Sequence, residues 1–189
     1  MKIISTPVPE VLIIEPKVFG DERGFFVETY SEARYKNFGI LLDFVQDNHS
    51  RSSKGVLRGL HFQLNQPQGK LVRVVRGSVF DVALDIRVGS PSFGQAAWVE
   101  LSEDNKRQLW VPPGFAHGFV VTSETADFEY RCTDYYSPET EGAVLWNDPN
   151  LNIPWPIASP LLSEKDSGAQ CLRDIDPAQL PQFITNASS

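Results

Sequence analysis

Two histidines in this chain sit where their surroundings read as the end of a β-strand. His61 lies in Gly55-Val56-Leu57-Arg58-Gly59-Leu60-His61-Phe62-Gln63, and His117 in Pro112-Pro113-Gly114-Phe115-Ala116-His117-Gly118-Phe119. A metal held between strands needs ligands close in sequence, and an open catalytic site takes at least three from the protein. Position 63, where a His-x-His pair would place its second imidazole, is Gln, and the third histidine, His49, has no close-spaced partner. No metal is expected, which leaves His61 available for proton transfer, the work an imidazole does best near neutral pH. A core histidine bonded to a neighbouring hydroxyl fits the strand pattern equally well.

The company of His61 points to an anionic ligand. Arg58, Lys70, Arg73 and Arg76 lie within the same few strands, interleaved with apolar residues. Such side chains are seldom buried without an anionic partner. A charged ligand at the mouth of the fold would supply one, although Asp81 and Asp85 are equally available. Tyr130, in Phe128-Glu129-Tyr130-Arg131-Cys132-Thr133, is either a packing aromatic with its hydroxyl bonded or a proton donor.

These residues need a scaffold of strands. Period-two alternation between turn signals predicts strands at Val11–Glu15, Gly24–Tyr30, Leu71–Arg76, Val79–Arg87, Ala96–Leu101, Gln108–Val111, His117–Thr122 and Asp127–Asp134. Gly77-Ser78 reads as a hairpin turn between two of them. Along Val79–Arg87, Phe80, Val82, Leu84 and Ile86 share one face, and Asp81, Ala83 and Asp85 the other. Gln46–Asn48 belongs to no clear strand. The one helical signal is Ser31–Phe38, a Ser cap before a short amphipathic turn closed by Gly39. Short strands punctuated by Gly and Pro indicate an all-β sandwich, barrel or jelly roll. Beyond Tyr136 the Pro/Trp-rich text reads as an irregular extension packed on the barrel. We expect one domain over residues 1–180 and a frayed tail over 181–189.

With 189 residues, 41% hydrophobic and 11% aromatic, the composition is that of a soluble domain with a sizeable core. A formal net charge of -7 argues against broad binding to nucleic acid or anionic membranes. No signal peptide or membrane-length apolar run is read. Cys132 and Cys171 are then expected as two reduced thiols in a cytoplasm.

The Pro-x-Gly-x-x-His segment following a Gly-rich histidine strand resembles a cupin-type jelly roll that lacks its metal ligands. The wider pattern is similar to the dTDP-4-dehydrorhamnose 3,5-epimerase family. It resembles that family in Phe19–Tyr30, Val45–Ser50, Arg58–Gln63, Gln68–Val74, Val79–Ala83, Pro112–Phe119, Tyr135–Pro138, Leu145–Pro149 and Leu162–Asp166, in order and over nearly the whole chain. Arg131 stands where the family usually has Lys, which keeps the charge.

The resemblance implies an all-β cupin-type jelly roll (a double-stranded β-helix barrel) with N-terminal strands and an irregular C-terminal extension carrying short helices. It also implies a homodimer and epimerisation at C3 and C5 of a dTDP-4-keto-6-deoxyhexose with no cofactor. Both carbons flank the C4 ketone, so loss of either proton gives an enolate. His61 is the implied base, with Asp166 holding its other nitrogen; Lys70 offsets charge on the C4 oxygen, and Tyr130 supplies the returning proton. Implied substrate contacts are Arg23, Glu28, Gln46, Asp47, Asn48, Arg58, Lys70, His117, Glu141 and Lys165, with Tyr136 stacking on thymine. Arg58 and His61 have opposite parity on one strand, so a bulge, a strand end or a second subunit's site must reconcile them. A single-centre epimerase of a related sugar, a metal-dependent cupin and a non-catalytic sugar-nucleotide binder are the competing readings.

Overall fold

A computed structural model of the chain describes residues 1–184. In chain order the strands are β1 (Lys2–Ser5), β2 (Leu12–Glu15), β3 (Val18–Asp21), β4 (Gly24–Val27), β5 (Gln46–Ser53), β6 (Leu57–Gln63) and β7 (Lys70–Arg76). They continue as β8 (Ser78–Asp85), β9 (Ala96–Ser102), β10 (Gln108–Val111), β11 (Phe115–Val121), β12 (Thr125–Cys132) and β13 (Glu141–Ala143). Two short helices, α1 (Glu32–Lys36) and α2 (Glu164–Ser167), interrupt them. One sheet runs β1-β2-β10-β7-β12-β5, and the facing sheet runs β13-β6-β11-β8-β9. This is the expected jelly roll.

The core between the sheets follows from alternation. Val72, Val74 and Phe128 face inward from the first sheet, and Val79, Ala83, Phe119 and Val121 from the second. Phe119 and Phe128 stack with ring centroids 4.1 Å apart, closing the floor of the space between the sheets. On β8 the other parity is buried as well. Val82, Leu84 and Ile86 pack under Leu151, Leu172, Ile175 and Leu180 of the C-terminal extension. The extension is therefore a lid on the outer face of the second sheet, and each fully buried side chain there contributes about 1.5–3 kcal/mol.

Five expectations are corrected. β7 and β8 do not form a hairpin, because they belong to different sheets. Gly77, with φ +76°, is a one-residue corner where a Cβ would lie 2.0 Å from the Thr125 carbonyl oxygen. Gln46–Asn48 opens an eight-residue edge strand, β5, paired along its length with β12. The strand predicted to reach Tyr30 ends at Val27, and the helix predicted over Ser31–Phe38 spans Glu32–Lys36. Ser31 holds the N-cap position without a side-chain cap bond. Fraying does not begin at Pro181: its carbonyl accepts from the Val88 N–H, and the Phe183 N–H donates back to Val88. The rest of the expected tail, 185–189, lies outside the described residues.

Candidate active site

Register explains how β6 presents two inward-facing polar side chains of opposite parity. Arg58 pairs with Phe119 and His61 with His117, with a register shift between the two pairs. Phe119 and His117 are two residues apart on β11 and so share a face; their partners share it too. Three residues of β6 thus span two of β11, which is a β-bulge. Gly59 makes this possible. Its φ is +117°, and a Cβ there would come within 2.6 Å of both the Gly118 Cα and the His117 carbonyl.

The mouth between the sheets is a cavity lined by His61, Phe62, Gln63, Gln68, Lys70, Gly114, Phe115, Tyr130, Tyr136 and Glu141. His61 comes from the second sheet. Lys70 and Tyr130 come from adjacent strands of the first, with the Lys70 ammonium 6.0 Å from the Tyr130 ring centroid.

Behind His61, its Nε2 lies 2.5 Å from Oδ1 of Asp166, whose side chain is 4% exposed against 27% for His61. Burial pushes the Asp166 carboxyl up. The bond and charge of His61, with bonds from Ser163 and the Gly59 N–H, outweigh that and hold it below the ordinary aspartate range. Asp166 itself is placed by α2: Oγ of the N-cap Ser163 accepts from its N–H at 3.1 Å. An ionised, fixed carboxylate on one imidazole nitrogen is what a histidine base needs to stabilise its protonated form.

Burial lowers the Lys70 ammonium from its ordinary value. Among the described residues no carboxylate lies within ion-pair distance of it, so its charge is available to a ligand in the cavity. Burial raises the Tyr130 phenol, with Cys132 adding to the rise and Arg58 opposing it. The phenol is neutral and carries a proton it can give.

At the rim, the Tyr136 hydroxyl donates to Oε2 of Glu141 at 2.9 Å, and Lys165 Nζ lies 2.5 Å from the same oxygen. The bond to Glu141 raises the Tyr136 phenol. Burial works against the Glu141 charge, but the bonds from Lys165 and Tyr136 prevail and keep it low. On β5, Gln46 and Asn48 face inward beside Cys132 and Tyr130; Gln46 Nε2 donates to Asn48 Oδ1 at 3.1 Å. Arg58 Nε donates to Ser52 Oγ at 3.1 Å, across the gap between the sheets.

Four expected contacts are not brought to this cavity. Asp47 has the opposite parity to Gln46 and Asn48 and faces Arg131, 3.6 Å away, on the outer side of the first sheet. His117 lies buried behind the cavity, its Nε2 2.9 Å from Asp81 Oδ1 and its ring stacked on Phe128. Arg23 pairs with Asp21 on the exposed β3–β4 hairpin. Glu28 faces Arg34 at 3.3 Å, near α1.

Gln63, which in the sequence marks only an absent ligand, shares the parity of His61 and turns into the same cavity. Ser163 is a further functional residue, and its signal in the sequence is the Ser-x-x-Asp capping pattern that ends at Asp166. Cys132 and Cys171 are both free. Among the described residues no helix is long and apolar enough to cross a membrane.

A family model described as dTDP-4-dehydrorhamnose 3,5-epimerase matches residues 5–174. The chain is 58% identical over 175 residues to the dTDP-4-dehydrorhamnose 3,5-epimerase of Salmonella typhimurium, covering 91% of this chain and 96% of that protein. It is 55% identical over 178 residues to the Pseudomonas aeruginosa protein of the same name, covering 93% and 98%. Among solved structures, it resembles dTDP-6-deoxy-D-glucose-3,5-epimerase of Legionella pneumophila in complex with dTDP-4-keto-L-rhamnose. That match has a TM-score of 0.95 and 56% identity, covering 97% of this chain and 99% of the other.

Proposed function

The chain belongs to the dTDP-4-dehydrorhamnose 3,5-epimerase family, and from that premise we propose how its residues divide the reaction. The enzyme converts dTDP-4-dehydro-6-deoxy-D-glucose to dTDP-4-dehydro-L-rhamnose, in dTDP-L-rhamnose biosynthesis. A proton on C3 or C5 is removable because the C4 ketone accepts the electron pair as an enolate. His61 takes that proton, and the Asp166 carboxylate stabilises the imidazolium that results. Lys70 offsets the charge growing on the C4 oxygen, where a half-buried ammonium acts more strongly than one in water. Tyr130 then delivers its hydroxyl proton to the opposite face of the carbon. The phenolate recovers a proton from water and the imidazolium releases one, so each inversion leaves enzyme and substrate proton count unchanged.

One observation carries this reading: His61 and Tyr130 belong to facing sheets and line the same cavity. A sugar ring between them has a base on one face and an acid on the other, which is the arrangement inversion requires. Tyr136, Glu141 and Lys165 at the rim, with Gln46, Asn48 and Arg58 nearby, suit the nucleotide end: an aromatic for thymine and cations for the diphosphate.

The same reading makes the enzyme a homodimer. Phe25 and Phe26 on the β3–β4 hairpin are 61% and 69% exposed, a patch a second copy would cover. Arg23 and Glu28 lie on this hairpin and its exit, outside their own chain's cavity, so their substrate contacts would be to the partner's nucleotide. Two free thiols fit a cytoplasmic setting.

The test is incubation with dTDP-4-keto-6-deoxyglucose in heavy water, trapping product with a 4-ketoreductase. Deuterium at both C3 and C5 is expected from the parent and none from His61→Ala. Label at one carbon only would make the chain a single-centre epimerase, and exchange that survives in His61→Ala would remove His61 from the base role.

A further inference from the structure

Tyr136 is more than half exposed and lies between β12 and β13, outside any strand, yet side-chain amides hold the Tyr135 carbonyl and the Tyr136 and Ser137 N–H groups around it. Gln63 Nε2 donates to the Tyr135 carbonyl at 3.0 Å and to the Gln66 carbonyl at 2.7 Å. Its Oε1 accepts from the Ser137 N–H at 3.0 Å. Between those two anchors, the Tyr136 N–H donates to Gln46 Oε1 at 3.1 Å. Gln63 is only 6% exposed, so water competes poorly for its hydrogen bonds. None of its hydrogen bonds goes to His61, Lys70, Tyr130 or Asp166.

We propose that Gln63 is a positioning residue that fixes the loop 135–137 so that the Tyr136 ring is set to stack on the nucleotide base. The inference rests on the epimerase reading, in which Tyr136 is the stacking aromatic. The physical gain is preorganisation. A loop aromatic that must be ordered on binding loses part of its stacking energy to conformational entropy, whereas a loop already clamped does not. Glutamine suits the task because one planar amide offers an acceptor and two donors pointing oppositely. It reaches from the end of β6 to both neighbouring loops at once. The residue that denies His61 a metal-binding neighbour thereby acquires a use of its own.

The experiment is a double-mutant cycle on dTDP affinity, measured by calorimetry on the full chain with Gln63→Met, Tyr136→Ala and the double variant. Methionine keeps the length and removes both hydrogen-bonding functions. Gln63→Met is expected to weaken dTDP binding about tenfold and to raise KM more than it lowers kcat. In the Tyr136→Ala background the same substitution is expected to change affinity by less than about twofold, because its effect passes through the ring. If Gln63→Met does not fold, Gln63→Glu enters the cycle instead; it keeps the Ser137 bond and turns the two carbonyl contacts repulsive. Additive losses would overturn the proposal, as would dTDP affinity unchanged by either Gln63 variant. Failure of the parent to bind dTDP would instead sink the epimerase reading and this inference with it.

Discussion

Replacing Asp166 with Asn isolates the charge behind His61 with little change of shape. The carboxylate oxygen is 2.5 Å from His61 Nε2. Taking about 4 Å between charge centres and an effective dielectric of about 20 gives about 4 kcal/mol of imidazolium stabilisation. His61 is 27% exposed, and solvent screening reduces this to about 3 kcal/mol. The carboxylate acts fully only when the imidazole is charged, so the loss falls on the barrier. At 1.36 kcal/mol per decade, kcat is expected to drop on the order of 10²-fold, with KM moved far less. Initial rates at saturating substrate, coupled to a 4-ketoreductase, measure this, and circular dichroism checks the fold. A kcat within about fivefold of the parent would refute the reasoning, because the dyad would then carry no catalytic charge.

Three further outcomes follow from the same geometry. Lys70→Met removes an ammonium that burial disfavours and is expected to raise Tm while lowering kcat by on the order of 10²-fold; a lowered Tm would contradict the buried-charge account. Gly59→Ala forces a Cβ to within 2.6 Å of backbone atoms at a φ of +117°. It is expected to cost about 3 kcal/mol or more in denaturant unfolding, and a change below about 1 kcal/mol would count against the bulge. Arg51 bonds to the Asp127 carboxylate and is the leading cause that holds it down to about 2. A depressed carboxyl stabilises the fold above its unfolded value of about 3.9, and that contribution is lost as pH falls through the folded value. The stability gap between the parent and Arg51→Gln should therefore be constant at neutral pH and close between about pH 4 and 2; a gap that widens on acidification would reverse the assigned sign.

The strands that carry the catalytic candidates were legible because their alternation is strong. Phe80 to Ile86 and Phe128 to Cys132 each separate two faces by residue type, and both proved to be core strands. β5 was not legible, since Gln46-Asp47-Asn48-His49-Ser50-Arg51-Ser52-Ser53 is polar on both faces and takes its strand state from pairing with β12. The same lack of pattern hid which of its residues look inward, so nothing set Asp47 apart from Gln46 and Asn48, all three of which resemblance alone placed at the ligand. Gly77-Ser78 was misread because a glycine at positive φ serves a hairpin and a sheet-to-sheet corner alike. The opposite parity of Arg58 and His61 was visible as a conflict. Its resolution needed the bulge at Gly59, a local event that leaves only a glycine in the text. Asp166 stood 105 residues from His61 in a polar stretch. Resemblance could pair the two, but composition could not.

The claim on which the rest depends is that Tyr130 returns the proton from the face opposite His61. Its most direct test is deuterium exchange by Tyr130→Phe in heavy water, with the stereochemistry of the labelled sugar read by NMR. Label is expected still to enter next to the ketone, because His61 still removes and restores protons, while inversion at C3 and C5 is lost or strongly impaired. Inversion at the parent's rate at both carbons would show that the proton comes from elsewhere.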